Sequence, residues 1–477
     1  MRVSRQEWAA IGLLAAGSVA VWLVVGSYPA YDAYYHLVWG RELFVGQVPS
    51  IGDYQAPTAH PLYILIAGLL GLIFGEGADR ALVLFSILSM SLCAWALWRI
   101  GRVVFGVWPG VIAALLVLSN LTLLLYGVRA FPDLIFLALV FLAAALEAEQ
   151  PRRGAAVMVT LFAAGLVRPE AWVLAGIYWL WCIWPRDPSS GRRSLHLGLL
   201  ALVVGAPVLW ALFDWWTVSQ PLYALTETSS LAAELGRRRG IAEVPSAFID
   251  GLIGVLRAPL LALVLVGVGL QVARRRAEHL YLPMTLITVG IVTFVLVGIF
   301  GLSLLPRYLT IPSITLLLFA GYALAGWVEL AKSTSLRRGW ALVAAVVVIA
   351  GVALTVGRAS LFTRASDEIS FVNGVHADLV ATLADPAVTA ARRCGPVSLP
   401  NFGLVPDTRW ALDASGNQVI SRSDRSARSG VALVLTDDKT RNRYGRADGV
   451  EVNTDSAPQG FRLIAEHGRI AAWGSCR

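Results

Sequence analysis

Long apolar stretches separated by short polar loops fill the first three-quarters of this 477-residue chain. Most of them approach the roughly 20 residues that a membrane-spanning helix needs. The pattern predicts an α-helical polytopic membrane protein with about eleven transmembrane helices. The eleven stretches lie at residues 9–27, 80–98, 107–125, 134–147, 155–167, 171–184, 195–212, 251–271, 281–300, 308–328 and 340–357.

One further apolar segment does not fit this count. Residues 61–75, PLYILIAGLLGLIFG, reach only about three-quarters of a minimal span. Counting the segment as a span would move the later basic loops to the other side of the membrane. We therefore predict an interfacial or re-entrant helix that belongs to a first outer loop, residues 28–79.

The composition supports a membrane protein and argues against a nucleic-acid partner. The chain is 57% hydrophobic and only 15% charged, with a mean hydropathy of +0.67, whereas about a quarter of the residues in soluble domains are charged. The net charge of +8 comes from short basic clusters between apolar runs, which is the distribution that fixes orientation in a membrane.

The basic clusters occur in every second loop. If those loops are cytoplasmic, the N-terminus is cytoplasmic and the C-terminus is extracytoplasmic, in a multi-pass protein of the cell membrane. A cleaved signal peptide is the alternative interpretation of residues 1–27. The clusters contain Arg99, Arg102, Arg152, Arg153, Arg186, Arg192, Arg193, Arg274, Arg275, Arg276, Lys332, Arg337 and Arg338.

The last quarter of the chain differs from the rest. Residues 359–477 contain 27 of the 70 charged residues, so we predict a transmembrane domain at 1–357 followed by an extracytoplasmic soluble domain at 358–477, the C-terminal domain. Short alternating runs broken by Gly, Asp and Asn predict a small α/β fold. Cys394 and Cys476 are the two cysteines outside apolar runs, and in an oxidising compartment they are predicted to form a disulfide.

The first outer loop contains ionisable side chains that a bilayer would exclude, among them Asp32, His36, Asp53 and His60. In the run YDAYYHLVWGREL, Asp32, His36 and Gly40 have the spacing i, i+4 and i+8, which places them on one edge of a short helix. Asp32 follows the first span by a few residues, so this helix would hold its carboxylate at the membrane surface. Helix capping is the structural alternative for Asp32.

Further polar groups lie at the predicted outer ends of the spans. Each alone is compatible with a snorkelling anchor, and Asp133 is also compatible with a helix cap and Asp53 with a turn. Together they outline an outward-facing cavity with acidic and basic lining. A second outer loop, residues 214–250, would cover this cavity or bind lipid headgroups. The groups are Arg129, Asp133, Arg168, Glu170, Arg307 and Tyr308.

The order of these motifs resembles the GT-C superfamily of multi-spanning glycosyltransferases, in particular the dolichyl-phosphate-mannose protein mannosyltransferases and the bacterial lipid A aminoarabinose transferases. The motifs are the early aspartate in its aromatic helix, PTAHPLY at 57–63, the aspartate after the third span, the arginine before the sixth, and RYLTIP at 307–312. The resemblance covers residues 9–330 and leaves the C-terminal domain uncovered.

The resemblance implies an inverting glycosyltransferase on the outer face, which moves a sugar from a polyprenyl-phosphate donor to a cell-envelope glycan, lipid or protein. Asp32 occupies the position of the catalytic carboxylate and would act as general base. Arg168 and Arg307 match cations that would stabilise the leaving phosphate. His60 lies near the position where the relatives have a lysine before Pro-Pro or His-Pro-Pro, although only one proline follows it here. The predicted substrate-binding residues are His36, Asp53, His60, Arg129, Asp133, Arg168, Glu170, Arg307 and Tyr308.

The sequence also allows two other classes of function. A transporter or flippase for a lipid-linked or anionic substrate would also have many spans, but its ionisable residues are expected near mid-span rather than at the outer margin. A non-catalytic scaffold would need no reactive carboxylate. The outer loops contain Asp and His side chains, which are common metal ligands, so a bound divalent cation is a further interpretation. No spacing matches a metal motif. The sequence specifies neither the sugar nor the acceptor.

Overall fold

The computed structural model describes residues 4–184, 193–234, 236–274, 280–357, 359–444, 446–447, 450–451 and 456–476. Parts of the predicted basic loops, Arg186, Arg192, Arg275 and Arg276, lie outside the described residues, as does Arg358 at the predicted domain boundary.

The described residues as far as residue 357 form mainly α-helices. They are α1 Arg5–Val25, α2 Tyr31–Phe44, α3 Pro61–Phe74, α4 Ala78–Val104, α5 Val107–Leu118, α6 Leu121–Val128, α7 Asp133–Glu149, α8 Ala155–Gly165, α9 Glu170–Ile183, α10 Arg193–Val218, α11 Tyr223–Glu234, α12 Val244–Arg274, α13 Tyr281–Ile299, α14 Thr310–Ala325 and α15 Ser335–Gly357.

Nine of the eleven predicted segments coincide with one helix each. Segment 107–125 coincides with two helices, α5 and α6, bent by 56°, and segment 251–271 lies in α12, which has a kink at Arg257. Within the described parts of the chain, seven helices are long and apolar enough to cross a membrane, or up to eight if the bent pair is one span. Helices α7, α8 and α9 have only 17, 11 and 14 residues. The predicted multi-pass helical class is confirmed, whereas the count of eleven spans is not.

One end of the helix bundle is held together by ion pairs among predicted basic-loop residues. Arg102, in the last turn of α4, pairs with Glu7 in the first turn of α1 at 2.8 Å. Arg99 and Arg102 both pair with Glu149 at the end of α7. The start of α1 and the ends of α4 and α7 therefore lie at the same end of the bundle, opposite to the ends from which the first outer loop emerges.

Helices α2 and α3 of the first outer loop pack very closely. A Cβ atom on Gly40 would lie 2.5 Å from the backbone nitrogen of Gly68, and one on Gly68 would meet the ring of Phe44. Only glycine allows this approach, because any larger side chain would push the two helices apart. The edge of α2 that carries His36 and Gly40 consequently faces α3.

The C-terminal domain combines helices with a five-stranded mixed sheet of order β2-β1-β3-β7-β6. Strand β1 is parallel to β2 and β3, whereas β7 is antiparallel to β3 and β6. The all-apolar run of β3 is buried at every position. The elements are α16 Ala359–Ala384, α17 Pro386–Ala391, β1 Val397–Leu399, α18 Val405–Leu412, β2 Val419–Ser421, β3 Gly430–Leu435, α19 Asp438–Tyr444, β4 Arg446–Ala447, β5 Val450–Glu451, β6 Arg462–His467 and β7 Ile470–Ser475.

A disulfide joins Cys394, which follows α17, to Cys476, which follows β7. Their Cα atoms are 5.1 Å apart, although 82 positions separate them along the chain. The bond therefore ties the last strand of the sheet to the segment that leads into its first strand.

Replacing both of these cysteines with serine is expected to lower the free energy of unfolding of the C-terminal domain by about 4 kcal/mol, because the bond closes a long loop. Hydrogen exchange of the β3 and β7 amides in the full-length protein measures the loss. Cys182→Ser, a cysteine outside the disulfide, is the control. Unchanged protection in the double variant would contradict the prediction.

Candidate active site

A cavity of about 400 Å³ lies where α9, α10, α11 and α13 meet the segment before α14; we call it the first cavity. Apolar side chains, mainly from α9, α10, α11 and α13 and the residues next to them, form most of its wall, and charged groups are confined to a few places. Its polar and aromatic lining residues are Thr58, His60, Asp133, Arg168, Glu170, Trp172, Trp210, Asp214, Thr228, Thr293, Phe300, Arg307 and Tyr308.

Six of the ten predicted site residues line this cavity, and a seventh contacts it. The six are His60, Asp133, Arg168, Glu170, Arg307 and Tyr308. Asp32 is adjacent: its Oδ2 lies 3.6 Å from Nη1 of Arg307. His36, Asp53 and Arg129 are not among the lining residues.

Arg168 is the centre of a buried ion cluster. Its Nη1 donates to Oδ1 of Asp133, and its Nη2 lies 2.7 Å from Oε1 of Glu170. The guanidinium also lies 4.7 Å from the centre of the Tyr308 ring, a favourable cation–π contact. Buried charges are tolerated when they are paired in this way. Arg168 therefore has its donors largely committed to protein partners.

Arg307 is more available to a ligand. Among the described residues, its one ion pair, to Asp32, has the long distance of 3.6 Å, and its Nε has no hydrogen-bond partner there. Since buried donors are normally paired, this guanidinium is the better placed of the two lining arginines to bind an anionic group.

Asp32 lies in the first turn of α2 with about a quarter of its side chain exposed. It does not cap the helix, because the cap position is Ala30 and makes no side-chain hydrogen bond. Burial raises the pKa of Asp32 above its ordinary value, Arg307 opposes this rise, and the nearby charge of Asp133 adds to it. The carboxylate is thus a stronger base than an exposed aspartate.

The cap interpretation is also wrong for Asp133. The capping position of α7 is Pro132, and Asp133 is the first residue of the helix. Its side chain is fully buried and its Oδ2 lacks a partner in the part of the chain that the structure describes.

His36 has a structural position rather than the predicted substrate contact. The ring is fully buried, its Nδ1 lies 2.6 Å from the backbone oxygen of Asp32, and its Nε2 accepts from the backbone N–H of His60 at 3.2 Å. Burial lowers the pKa of His36 to about 4, so the ring is neutral at physiological pH. With both nitrogens committed, it joins α2 to the segment before α3.

Asp53 contacts the C-terminal domain instead of the first cavity, and Arg129 lies near ionisable residues of the same domain. Asp53 accepts from Nη1 of Arg409, a fully buried arginine of α18. Nη2 of the same arginine lies 2.6 Å from Oε1 of Glu42 in α2. Burial lowers the pKa of Arg129, and the charge of Asp407, in the C-terminal domain, opposes this. These two residues were assigned to the site because no sequence pattern indicates where the C-terminal domain docks.

Trp210 and Asp214, one turn apart on α10, are among the lining residues that the sequence interpretation missed. The predicted outer loop began at residue 214, whereas α10 continues to Val218 and α12 begins at Val244. The connection is therefore shorter than predicted, and it contains α11. Leu222, Ala224, Leu225 and Thr228 in and before α11 form part of the cavity wall.

No group of three or more His, Cys, Asp or Glu side chains that could hold a metal ion exists among the described residues.

A second cavity, of about 820 Å³, lies between the C-terminal domain and helices α2, α3 and α4. Its charged lining residues are Arg41, Glu76, Asp79, Arg80, His376 and Asp413.

A family model described as dolichyl-phosphate-mannose-protein mannosyltransferase matches residues 56–210. The chain is also similar to two crystal structures of ArnT from Cupriavidus metallidurans, one bound to undecaprenyl phosphate and one in the apo state. The TM-scores are 0.59 and 0.58 at 15% sequence identity, and each comparison covers 98% of both chains. The chain has the GT-C fold.

A more distant similarity links this chain to the oligosaccharyltransferase of Archaeoglobus fulgidus, in a structure with a tethered acceptor peptide. The TM-score is 0.50 at 12% identity, over 87% of this chain and 64% of that one. A sequence comparison with curated proteins gave no significant match. The resemblance that the sequence motifs suggested is confirmed, and the structural similarity to ArnT extends it into the C-terminal domain, which the motifs left uncovered.

Proposed function

We propose that this GT-C protein is a glycosyltransferase that moves a sugar from a polyprenyl-phosphate donor to a cell-envelope glycan, lipid or protein at the outer face of the membrane. The observation that carries the proposal is the contact between Asp32 and Arg307 at the wall of the first cavity. It places a carboxylate of raised pKa next to a guanidinium with an available donor.

The lining of the first cavity supports a lipid-phosphate donor. Leu296 and Val297 of α13, with Phe300 directly after the helix, give it an apolar wall, which suits a prenyl chain. Arg307 offers a cation for the phosphate. The structural similarity to an ArnT bound to undecaprenyl phosphate supports the same class of ligand.

From the positions of Asp32 and Arg307 we infer a single-displacement reaction. An acceptor hydroxyl attacks the anomeric carbon, Asp32 takes the hydroxyl proton, and the bond from the anomeric carbon to the phosphate oxygen breaks, with inversion of configuration. Polyprenyl phosphate leaves with the bonding electron pair. Arg307 stabilises the charge that grows on the phosphate, so its interaction is stronger in the transition state than in the ground state.

The proposed orientation has the N-terminus in the cytoplasm and the C-terminal domain outside. The disulfide supports it, since such bonds persist in oxidising compartments. The catalytic and acceptor-facing groups then lie on the outer side, where the first outer loop and the C-terminal domain meet.

The test is sugar transfer by the purified full-length protein in lipid nanodiscs. Undecaprenyl-phosphate mannose, arabinose and aminoarabinose are offered with cell-envelope glycan, lipid and protein fractions, with and without EDTA. We expect one sugar to be transferred, with an inverted anomeric configuration by NMR. If no donor is consumed, and proteoliposomes instead move the lipid-linked sugar between leaflets, the transport alternative replaces this proposal.

A further inference from the structure

Asp214 projects one carboxylate oxygen that the protein does not use. The residue is 1% exposed, and its Oδ2 accepts from the backbone N–H of Ala224 in α11 at 2.9 Å. Its Oδ1 is buried and has no hydrogen-bond partner among the residues that the structure describes. One oxygen thus holds α11 in place, and the other is left to the first cavity, which Asp214 lines.

His60 presents a similar atom on another wall of the same cavity. Its Nδ1 is buried and finds no partner within the described ranges. Burial and the charges of Arg168 and Arg307 lower the pKa of His60 well below its ordinary value, and a backbone hydrogen bond at Val167 opposes this. The ring is therefore neutral. Because Nδ1 makes no hydrogen bond, we assign the bond at Val167 to the other ring nitrogen, which leaves Nδ1 as an acceptor.

An aromatic side chain connects the two positions. Trp210 lies one turn before Asp214 on α10, and its ring packs against the edge of the His60 ring with centroids 5.9 Å apart. Trp172 packs against Trp210 in turn, at 5.8 Å. The wall between the two acceptor atoms is thus aromatic, and an apolar surface with few convergent polar atoms is typical of a small-molecule site.

We propose that Asp214 Oδ1 and His60 Nδ1, the acceptor pair, bind the hydroxyl groups of the transferred sugar, with Trp210 packing against its apolar face. This proposal rests on the proposed function. Of the three parts of a polyprenyl-phosphate sugar, only the sugar fits these atoms. The prenyl chain has no hydrogen-bond donor, and an ionised phosphate offers only acceptors, which a carboxylate repels.

The acceptor pair also sets the direction of the donor in the first cavity. The phosphate lies toward Arg307 and the sugar toward α10 and α11, so that the anomeric carbon lies between them. Buried acceptors that are left unpaired cost free energy, so a sugar that lacks the matching hydroxyl is rejected. Asp214 and His60 are in this way specificity-determining residues.

Asp214→Asn is the informative variant. Its amide oxygen can still accept from Ala224, which preserves the contact with α11, while its NH₂ group replaces the acceptor that faces the cavity. Binding of undecaprenyl phosphate and of its mannosyl and arabinosyl derivatives is measured with the full-length protein in nanodiscs. We expect the better sugar derivative to bind about 10- to 100-fold more weakly, and undecaprenyl phosphate to bind within about twofold of the wild type.

Ser229→Ala is the matched control, because it removes a hydrogen bond between α11 and Gly301 without touching the acceptor pair. Wild-type protein with monodeoxy sugar derivatives gives a second measurement that needs no variant, and at least one of them should lose about tenfold or more in affinity. Equal weakening of sugar-bearing and sugar-free ligands in Asp214→Asn, or no deoxy effect, would overturn the subsite alone. Failure of the wild type to bind any of these lipids would overturn the proposed function as well.

Discussion

Asp32→Asn is expected to reduce sugar transfer by about 10²- to 10⁴-fold, the range that a positioned general base contributes, while donor binding is retained. The amide has nearly the same shape as the carboxylate but cannot take the acceptor proton. Transfer rate and donor affinity are measured in parallel. Asp250→Asn, which changes an exposed aspartate paired with Arg238, is the control and should transfer sugar normally.

The pH dependence of transfer should follow the same carboxylate. Burial raises the pKa of Asp32, and only the ionised form can accept a proton, so activity is lost as the pH falls through an apparent pKa above the usual aspartate value of about 4. The acid limb should disappear from the residual activity of Asp32→Asn. A limb that persists unchanged in the variant would assign the base to another group.

Thermal stability separates this catalytic role from a structural one. Because the pKa of Asp32 is higher in the folded than in the unfolded protein, the folded state binds more protons between the two values, and stability falls as the pH rises through them. At neutral pH the charged side chain is therefore a cost to folding. Asp32→Asn should melt at the same temperature as the wild type or higher, and a lower melting temperature would indicate a structural residue.

The sequence was sufficient for features that depend on local pattern. Each apolar segment is a helix because a run of that length has no other way to satisfy its backbone in a bilayer. Asp133, Arg168 and Arg307 come together because each lies near the same end of its helix, so their convergence could be read from topology. Where the chain forms short helices, as in α7 to α9, helix length does not confirm the predicted spans.

Features that depend on contacts between distant segments could not be read from the sequence. Asp53 and Arg409 are 356 positions apart, and no periodicity connects them. His36 shared a helix edge with Asp32 in the predicted pattern, but the close approach of Gly40 and Gly68 turns that edge toward α3. Asp214 was placed in a loop because the end of α10 follows from its packing with α11, which involves the Ala224 backbone.

Mutations at the contact between the first outer loop and the C-terminal domain are expected to have the second large effect, on the stability of the protein. Arg409 of α18 is completely buried and donates to Glu42, Asp53 and the hydroxyl of Ser50. In return, Arg41 of α2 pairs with Asp413 at 2.8 Å and donates to the backbone oxygens of Arg409 and Trp410. Helix α2, which carries Asp32, is therefore fixed at its far end by the C-terminal domain.

Arg409→Ala is expected to destabilise the protein by about 3–5 kcal/mol, because it leaves the buried carboxylate of Glu42 and the half-buried one of Asp53 without their partner. Thermal unfolding and limited proteolysis of the full-length protein measure the loss. Arg409→Lys should give an intermediate value, since one ammonium cannot reproduce a planar guanidinium that binds two carboxylates. Arg425→Ala, an exposed arginine of the same domain, should change stability by less than about 0.5 kcal/mol.

The same variant distinguishes two roles of the C-terminal domain. If the domain positions the first outer loop, Arg409→Ala should lower the transfer rate at temperatures where the protein is still folded, and neutralising both partners by Glu42→Gln and Asp53→Asn in the Arg409→Met background should recover stability without recovering the rate. Removing every buried charge relieves the desolvation cost, but it also removes the directional bonds that set the position of α2. A triple variant with full activity would show that packing alone holds Asp32 against Arg307, and that the arginine network contributes only to stability.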